Sequence, residues 1–191
     1  MKKLLFIGFL GLMTACSPGT SNTKEGADTL KAQVSAPSDY DPEAKLKELG
    51  IELSTPSAPV ANYVNAVRTG NLVFLAGKGP SKADGSYVTG KVGVDLTIEQ
   101  GYEAGRLTAI SQLSVLKAEL GDLRKVKRIV KVLGMVNCAP DFTDQPKVVN
   151  GYSDLMVAVF GERGKHARAA VGMGSLPNNI AIEVEMIVEV E

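Results

Sequence analysis

The chain has no tryptophan, a single histidine and only two cysteines among its 191 residues. A zinc site takes four nitrogen or sulfur ligands, so His166, Cys16 and Cys138 cannot furnish one between them, and most redox chemistry goes with it. Neither sign of charge is in excess: 21 Lys and Arg stand against 21 Asp and Glu. No global basic field therefore recommends nucleic acid as a partner. Phosphate-loop chemistry has no support either, since Gly172-Met-Gly174 is too short to count and nothing matches a P-loop. There is no internal repeat. What is present is 45% hydrophobic and 22% charged residues, enough for a core, in a length that predicts one globular domain with a remainder. Chemistry in such a chain rests on carboxylates, Arg, Lys, hydroxyls or backbone.

The remainder is at the front. Met1-Lys-Lys is followed by ten mostly apolar residues, Leu4 to Met13, and then by Thr14-Ala15-Cys16. A basic start, a short apolar stretch and small residues are the parts of a secretory signal, and ten residues are too few to cross a bilayer. Leu12-Met-Thr-Ala-Cys16 resembles a bacterial lipobox, with Met13 where Leu is commoner. That resemblance implies cleavage after Ala15 and lipid attachment at Cys16, and Ser17 resembles an outer-membrane sorting signal. The expected arrangement is residues 1–15 as signal peptide, 16–40 as lipidated Cys and flexible tether, and 41–191 as the folded domain. It places the protein in the bacterial cell envelope, on the outer membrane facing the periplasm. The alternative is a plain secreted protein with a coincidental Cys. Ser17 to Tyr40 is rich in Ser, Thr, Gly, Ala and Lys without an apolar period, so burial cannot offset its ordering entropy.

Order begins at Asp41-Pro42, a helix cap and a first-turn proline, with Leu46 and Leu49 as apolar edge and Gly50 as the stop. Tyr63 to Arg68 and Asn71 to Ala76 read as a hairpin turning at Thr69-Gly70, and a second turn falls at Ala83 to Ser86. Thr97 to Leu120 is the longest helix, with Thr97 and Gln100 at capping-box spacing and an apolar stripe Ala104, Leu107, Ile110, Leu113. Val126 to Asn137 reads as a central strand, with Lys125-Val-Lys127-Arg128 supplying part of an exposed face. Pro146 to Phe160 forms the second main helix, burying Val148, Tyr152, Leu155 and Val159. In the last strand, Ile180 to Glu191, aliphatic residues alternate with Glu183, Glu185, Glu189 and Glu191. The order predicts an α+β domain, two helices packed on one face of a mixed β-sheet, whose other face invites self-association.

Two residues stand out from this pattern. Arg168 sits among alanines in the short strand His166 to Val171, and the loop Gly172 to Asn179 is expected to turn the chain back toward Glu183. A guanidinium fork matches a carboxylate, and a nearby Glu can hold a water for attack on an adjacent carbon. The same two residues also suit a structural Arg168 to Glu183 salt bridge, and the pattern leaves both open. Cys138 with His166 is the one thiol dyad the composition permits, although a lone Cys after a strand is more often a small buried residue.

The motifs themselves resemble a family. Arg168-Ala-Ala-Val171, Leu176-Pro177 and Ile182-Glu-Val-Glu185 are similar to the C-terminal signature of the RidA (YjgF-type) enamine/imine deaminases. Tyr63 to Gly77 resembles that family's opening hairpin, and Val149-Asn-Gly-Tyr152 its second helix. The resemblance runs from about Asp41 to Glu191, nearest to a subgroup with the Asn137-Cys-Ala-Pro-Asp-Phe142 segment. It implies a chorismate-mutase-like fold, a homotrimer whose sheets form a central barrel, active sites in clefts between subunits, and no cofactor or metal. It also implies roles: Arg168 for the substrate carboxylate, Glu183 for the attacking water, Tyr63 and Asn150 lining the cleft, and Gly77 as backbone beside the substrate. Ala76 and Ala170 depart from the Ser and Cys common in the family, which alters pocket size and hydrogen bonding.

Two functions follow as expectations. One is an envelope-anchored deaminase that hydrolyses 2-iminoacids or enamines to 2-ketoacids and ammonia. The other is a non-catalytic trimer that binds small carboxylates in the same cleft. Ribonuclease activity has been attached to the family's name, but the sequence offers no general acid/base pair and no aromatic platform for RNA, so nucleic acid is not an expected partner.

Overall fold

The structure, a computed structural model, describes residues 40–191. The predicted signal peptide at 1–15, Cys16 and all of the tether except Tyr40 lie outside the described residues. Asp41 starts the first helix, α1 (Pro42–Glu48), by accepting from the Glu43 and Ala44 amides at 3.1 and 3.0 Å. Leu46 is buried, but Leu49, expected beside it, is exposed. Leu49 is the C-cap and the chain leaves the axis at Gly50 (φ +67°), so Ile51 takes the buried place instead. Glu43 ties α1 down by accepting from Lys117 Nζ at 2.6 Å and from the Leu123 amide at 3.2 Å. Tyr40 donates to the Val126 carbonyl and lies under the Arg163 guanidinium, 4.0 Å from its ring centroid. Burial pushes its phenol up to about 12.

The hairpin is β1 (Ala66–Thr69) and β2 (Leu72–Lys78), joined by Gly70-Asn71 rather than by Thr69-Gly70. Positive φ falls at Gly70 (+58°), which sets the turn one residue later than the sequence suggests. The Thr97 capping box is formed in full at the start of α2 (Ile98–Leu120). Three-residue steps turn a helical stripe by about 60° each, so the expected stripe drifts, and Leu107 and Ile110 are only half-buried. The residues that α2 does bury include Gly101, Gly105, Thr108, Gln112 and Leu116, a spacing that mixes three- and four-residue steps. Then come β3 (Val126–Asn137), α3 (Gln145–Phe160), β4 (Ala167–Met173) and β5 (Ile182–Val190).

The strands form one five-stranded sheet in the order β1-β2-β5-β3-β4, antiparallel except for the parallel β3/β4 pair that α3 connects. The mixed α+β sheet with two long helices is thus as expected, and the third helix is the short α1 expected at Asp41-Pro42. In β5, Ile182, Val184, Met186, Val188 and Val190 are all buried. They meet Val132 and Val136 of β3 on the face that the helices cover. The two long helices cross at very short range. A Cβ on Gly151 would collide with the Tyr102 carbonyl, and one on Gly105 would lie 2.7 Å from the Val148 carbonyl. The opposite sheet face carries a row Val67, Phe74, Ile187 across three strands, with Val67 55% and Phe74 41% exposed. Among the described residues no helix is long and apolar enough to cross a membrane.

Candidate active site

Strand parity decides where the two key side chains point. Arg168 pairs with Val132, which pairs with Met186, so Arg168 projects on the helix side of the sheet. Glu183 pairs with Met135, three residues along β3 from Val132, and projects on the open side. The loop between β4 and β5 therefore does not turn Arg168 toward Glu183 within one chain. No salt bridge joins them among the described residues.

On the helix side, α3 receives Arg168. Its Nη1 donates to Asn150 Oδ1 and to Ser153 Oγ, both at 2.9 Å. Both N–H bonds of Nη1 are thereby used, so a bidentate carboxylate would be taken by the Nε and Nη2 edge. Ser153 in turn lies 3.1 Å from His166 Nε2, and His166 Nδ1 lies 2.7 Å from the Gly164 carbonyl. Burial, aided by the Arg168 charge, lowers the imidazole pKa below its ordinary value against an opposing contribution from the Gly164 hydrogen bond.

On the open side, Gly77 makes room for Glu183: a Cβ on Gly77 would fall on the Glu183 carboxylate. The register between β2 and β5 shifts between Leu75 and Lys78, so Gly77 lies in a bulge. Gln112 from α2 holds that bulge, its amide donating to the carbonyls of Ala76 (3.1 Å) and Val184 (2.6 Å). Desolvation, with the Glu185 charge adding to it, raises the Glu183 carboxyl above the usual glutamate value. Glu183 is thus a better proton acceptor than a surface glutamate once ionised.

Of the residues singled out in the sequence, the structure brings Arg168 and Asn150 together on one face and Glu183 and Gly77 together on the other. Tyr63 is exposed in the segment that leads into β1. Cys16 lies outside the described residues. The Cys138 and His166 dyad is not made: Cys138 is buried with its sulfur 3.8 Å from Gln145 Nε2, while both imidazole nitrogens face other partners. Sequence reasoning missed Ser153, His166 and Gln112 as supports. Only the isolation of a single histidine two residues before Arg168 signalled any of them. Among the described residues no group of His, Cys, Asp and Glu is arranged to hold a metal ion.

Comparison with known proteins agrees with this arrangement of elements. Protein TCP17 of Trypanosoma cruzi is 45% identical over 147 residues, covering 76% of this chain and 92% of that protein. The 2-iminobutanoate/2-iminopropanoate deaminase of Dermatophagoides farinae is 30% identical over 142 residues, covering 73% and 95%. The crystal structure of protein Atu1372 from Agrobacterium tumefaciens superposes with a TM-score of 0.74 at 43% identity, covering 78% of this chain and 92% of that one. The family described as "YjgF/chorismate_mutase-like, putative endoribonuclease" matches residues 43–190. By sequence motifs, sheet order and relatives together, the chain belongs to the YjgF/chorismate mutase-like family.

Proposed function

We propose that the protein is an enamine/imine deaminase that hydrolyses 2-iminoacids to 2-ketoacids and ammonia, acting as a homotrimer whose sites lie between subunits. The observation that carries this reading is the pairing of two prepared half-sites: an Arg168 fork braced by Asn150 and Ser153, and a Glu183 carboxylate of raised pKa lodged against Gly77. A relative that is 30% identical bears the name of such a deaminase. Since the half-sites project from opposite faces of one sheet, a second copy is needed to bring Arg168 of one chain near Glu183 of another. The exposed apolar row on the open face is suited to that contact.

In this mechanism Arg168 holds the substrate carboxylate, which presents the adjacent C=N carbon. Tyr63, Asn150 and the Gly77 backbone line the cleft. Glu183 accepts a proton from water as the water oxygen bonds to that carbon, and the C=N π pair moves to nitrogen, which takes that proton back from Glu183. In the resulting carbinolamine the hydroxyl proton passes by way of Glu183 to the amine nitrogen, the oxygen pair forms the ketone C=O as the C–N bond breaks, and ammonia leaves. The substrate supplies its own electrophilicity, so positioning and one base suffice.

The envelope location, on the outer membrane through lipidated Cys16, is part of the same proposal and rests on the lipobox-like Leu12 to Cys16. The deciding experiment supplies freshly generated iminoacid to the purified chain and measures ketoacid release. Carboxylate binding without hydrolysis would leave the non-catalytic binder as the function.

A further inference from the structure

We propose that His166 is a positioning residue that orients Arg168 through the Ser153 hydroxyl; the inference rests on the assignment of Arg168 as the carboxylate anchor. A carbonyl oxygen only accepts, so the 2.7 Å contact to Gly164 places the imidazole proton on Nδ1. Nε2 of that neutral tautomer is then an acceptor, and the Ser153 hydroxyl 3.1 Å away donates to it. With its proton committed, Ser153 turns a lone pair toward Arg168 Nη1 at 2.9 Å. The relay has one direction: Arg168 donates to Ser153, Ser153 to His166, and His166 to the Gly164 backbone.

Each link removes a freedom the anchor would otherwise have. A serine hydroxyl with no acceptor can rotate its proton toward the guanidinium, where it repels rather than accepts. The half-buried imidazole prevents that rotation, and its lowered pKa keeps it in the neutral form the relay needs near pH 7. Asn150 fixes the second Nη1 bond at 2.9 Å, so the guanidinium plane is set from two points on α3. Gly164 belongs to the short helical turn between α3 and β4, which makes the far end of the relay a rigid backbone group. The chain's single histidine therefore serves the ligand site without touching the ligand.

The test measures binding of pyruvate, a 2-ketoacid, to the full chain and to four variants, with denaturant midpoints alongside. His166→Phe fills the space without an acceptor and should weaken pyruvate binding about tenfold. His166→Gln, whose amide oxygen can accept from Ser153, should restore most of it. In the Ser153→Ala background the additional His166→Phe change should have no further effect on binding, because the relay is already cut. Equal losses from His166→Phe in both backgrounds, or a change in midpoint alone, would overturn the relay. The imidazole 15N spectrum provides a readout independent of ligand, since one histidine assigns itself. An Nδ1–H tautomer that changes its Nε2 shift in Ser153→Ala supports the relay even if the wild-type chain neither binds pyruvate nor hydrolyses iminoacids, in which case the deaminase reading fails alone. An Nε2–H tautomer overturns the relay whatever the activity.

Discussion

At the scale of single residues, the proposed mechanism divides the work between a cation that holds and an anion that reacts. Arg168→Lys retains the charge and loses the planar fork, so both KM and kcat should worsen in the iminoacid assay. Glu183→Gln keeps size and some hydrogen bonding while removing the base; turnover should fall roughly 100-fold or more with carboxylate affinity retained. In the wild-type chain the acid limb of kcat/KM should lie above the ordinary glutamate value because burial raises the Glu183 pKa, and the limb should vanish in Glu183→Gln. His166 has the opposite shift and a consequence for stability. Its folded pKa lies below the ordinary imidazole value of 6.5, so between the two the unfolded chain binds a proton that the folded chain refuses. The stability it contributes is complete above 6.5 and is lost as pH falls through the lowered folded value. Denaturant midpoints measured across that window should drop with pH in the wild type and less steeply in His166→Gln.

At the scale of elements, much was legible because strands and capped helices are local. The alternation in β5, the Thr97 capping box and the Asp41-Pro42 start each sit within a few residues of sequence, and all three are found as read. Parity across strands is not local. Whether Arg168 and Glu183 share a face depends on both being paired through β3, at Val132 and Met135, and the odd offset between those positions puts them on opposite sides. A one-residue change of register would reverse that result, and nothing in the motif spacing fixes it. Gln112 was illegible for a different reason: a glutamine inside a helix reads as surface until a bulge is found that needs its amide. Gln112→Leu leaves the Ala76 and Val184 carbonyls without their buried donor. It should cost about 2 kcal/mol in denaturant titrations. Because the same bulge carries Gly77, activity should fall as well.

At the scale of the whole molecule, the proposal of a site shared between copies rests on a sheet with one covered and one open face. The helix face is closed by α2 and α3, whose glycines bring their backbones together, while the open face keeps Val67 and Phe74 at the surface. The proposed anchoring is separate and rests on the sequence of the first sixteen residues. Cys16→Ser should release the protein from the membrane fraction or block its processing, with hydrolysis by the folded part unchanged, as fractionation and the iminoacid assay would show. The most direct test of the central claim is complementation between Arg168→Ala and Glu183→Gln, each of which should be nearly inactive alone. Co-expressed at equal levels in mixed oligomers, they should regain about one quarter of wild-type activity, because a quarter of the interfaces then join an intact Arg168 to an intact Glu183. Mixed oligomers no more active than the two variants apart would contradict a site shared between subunits.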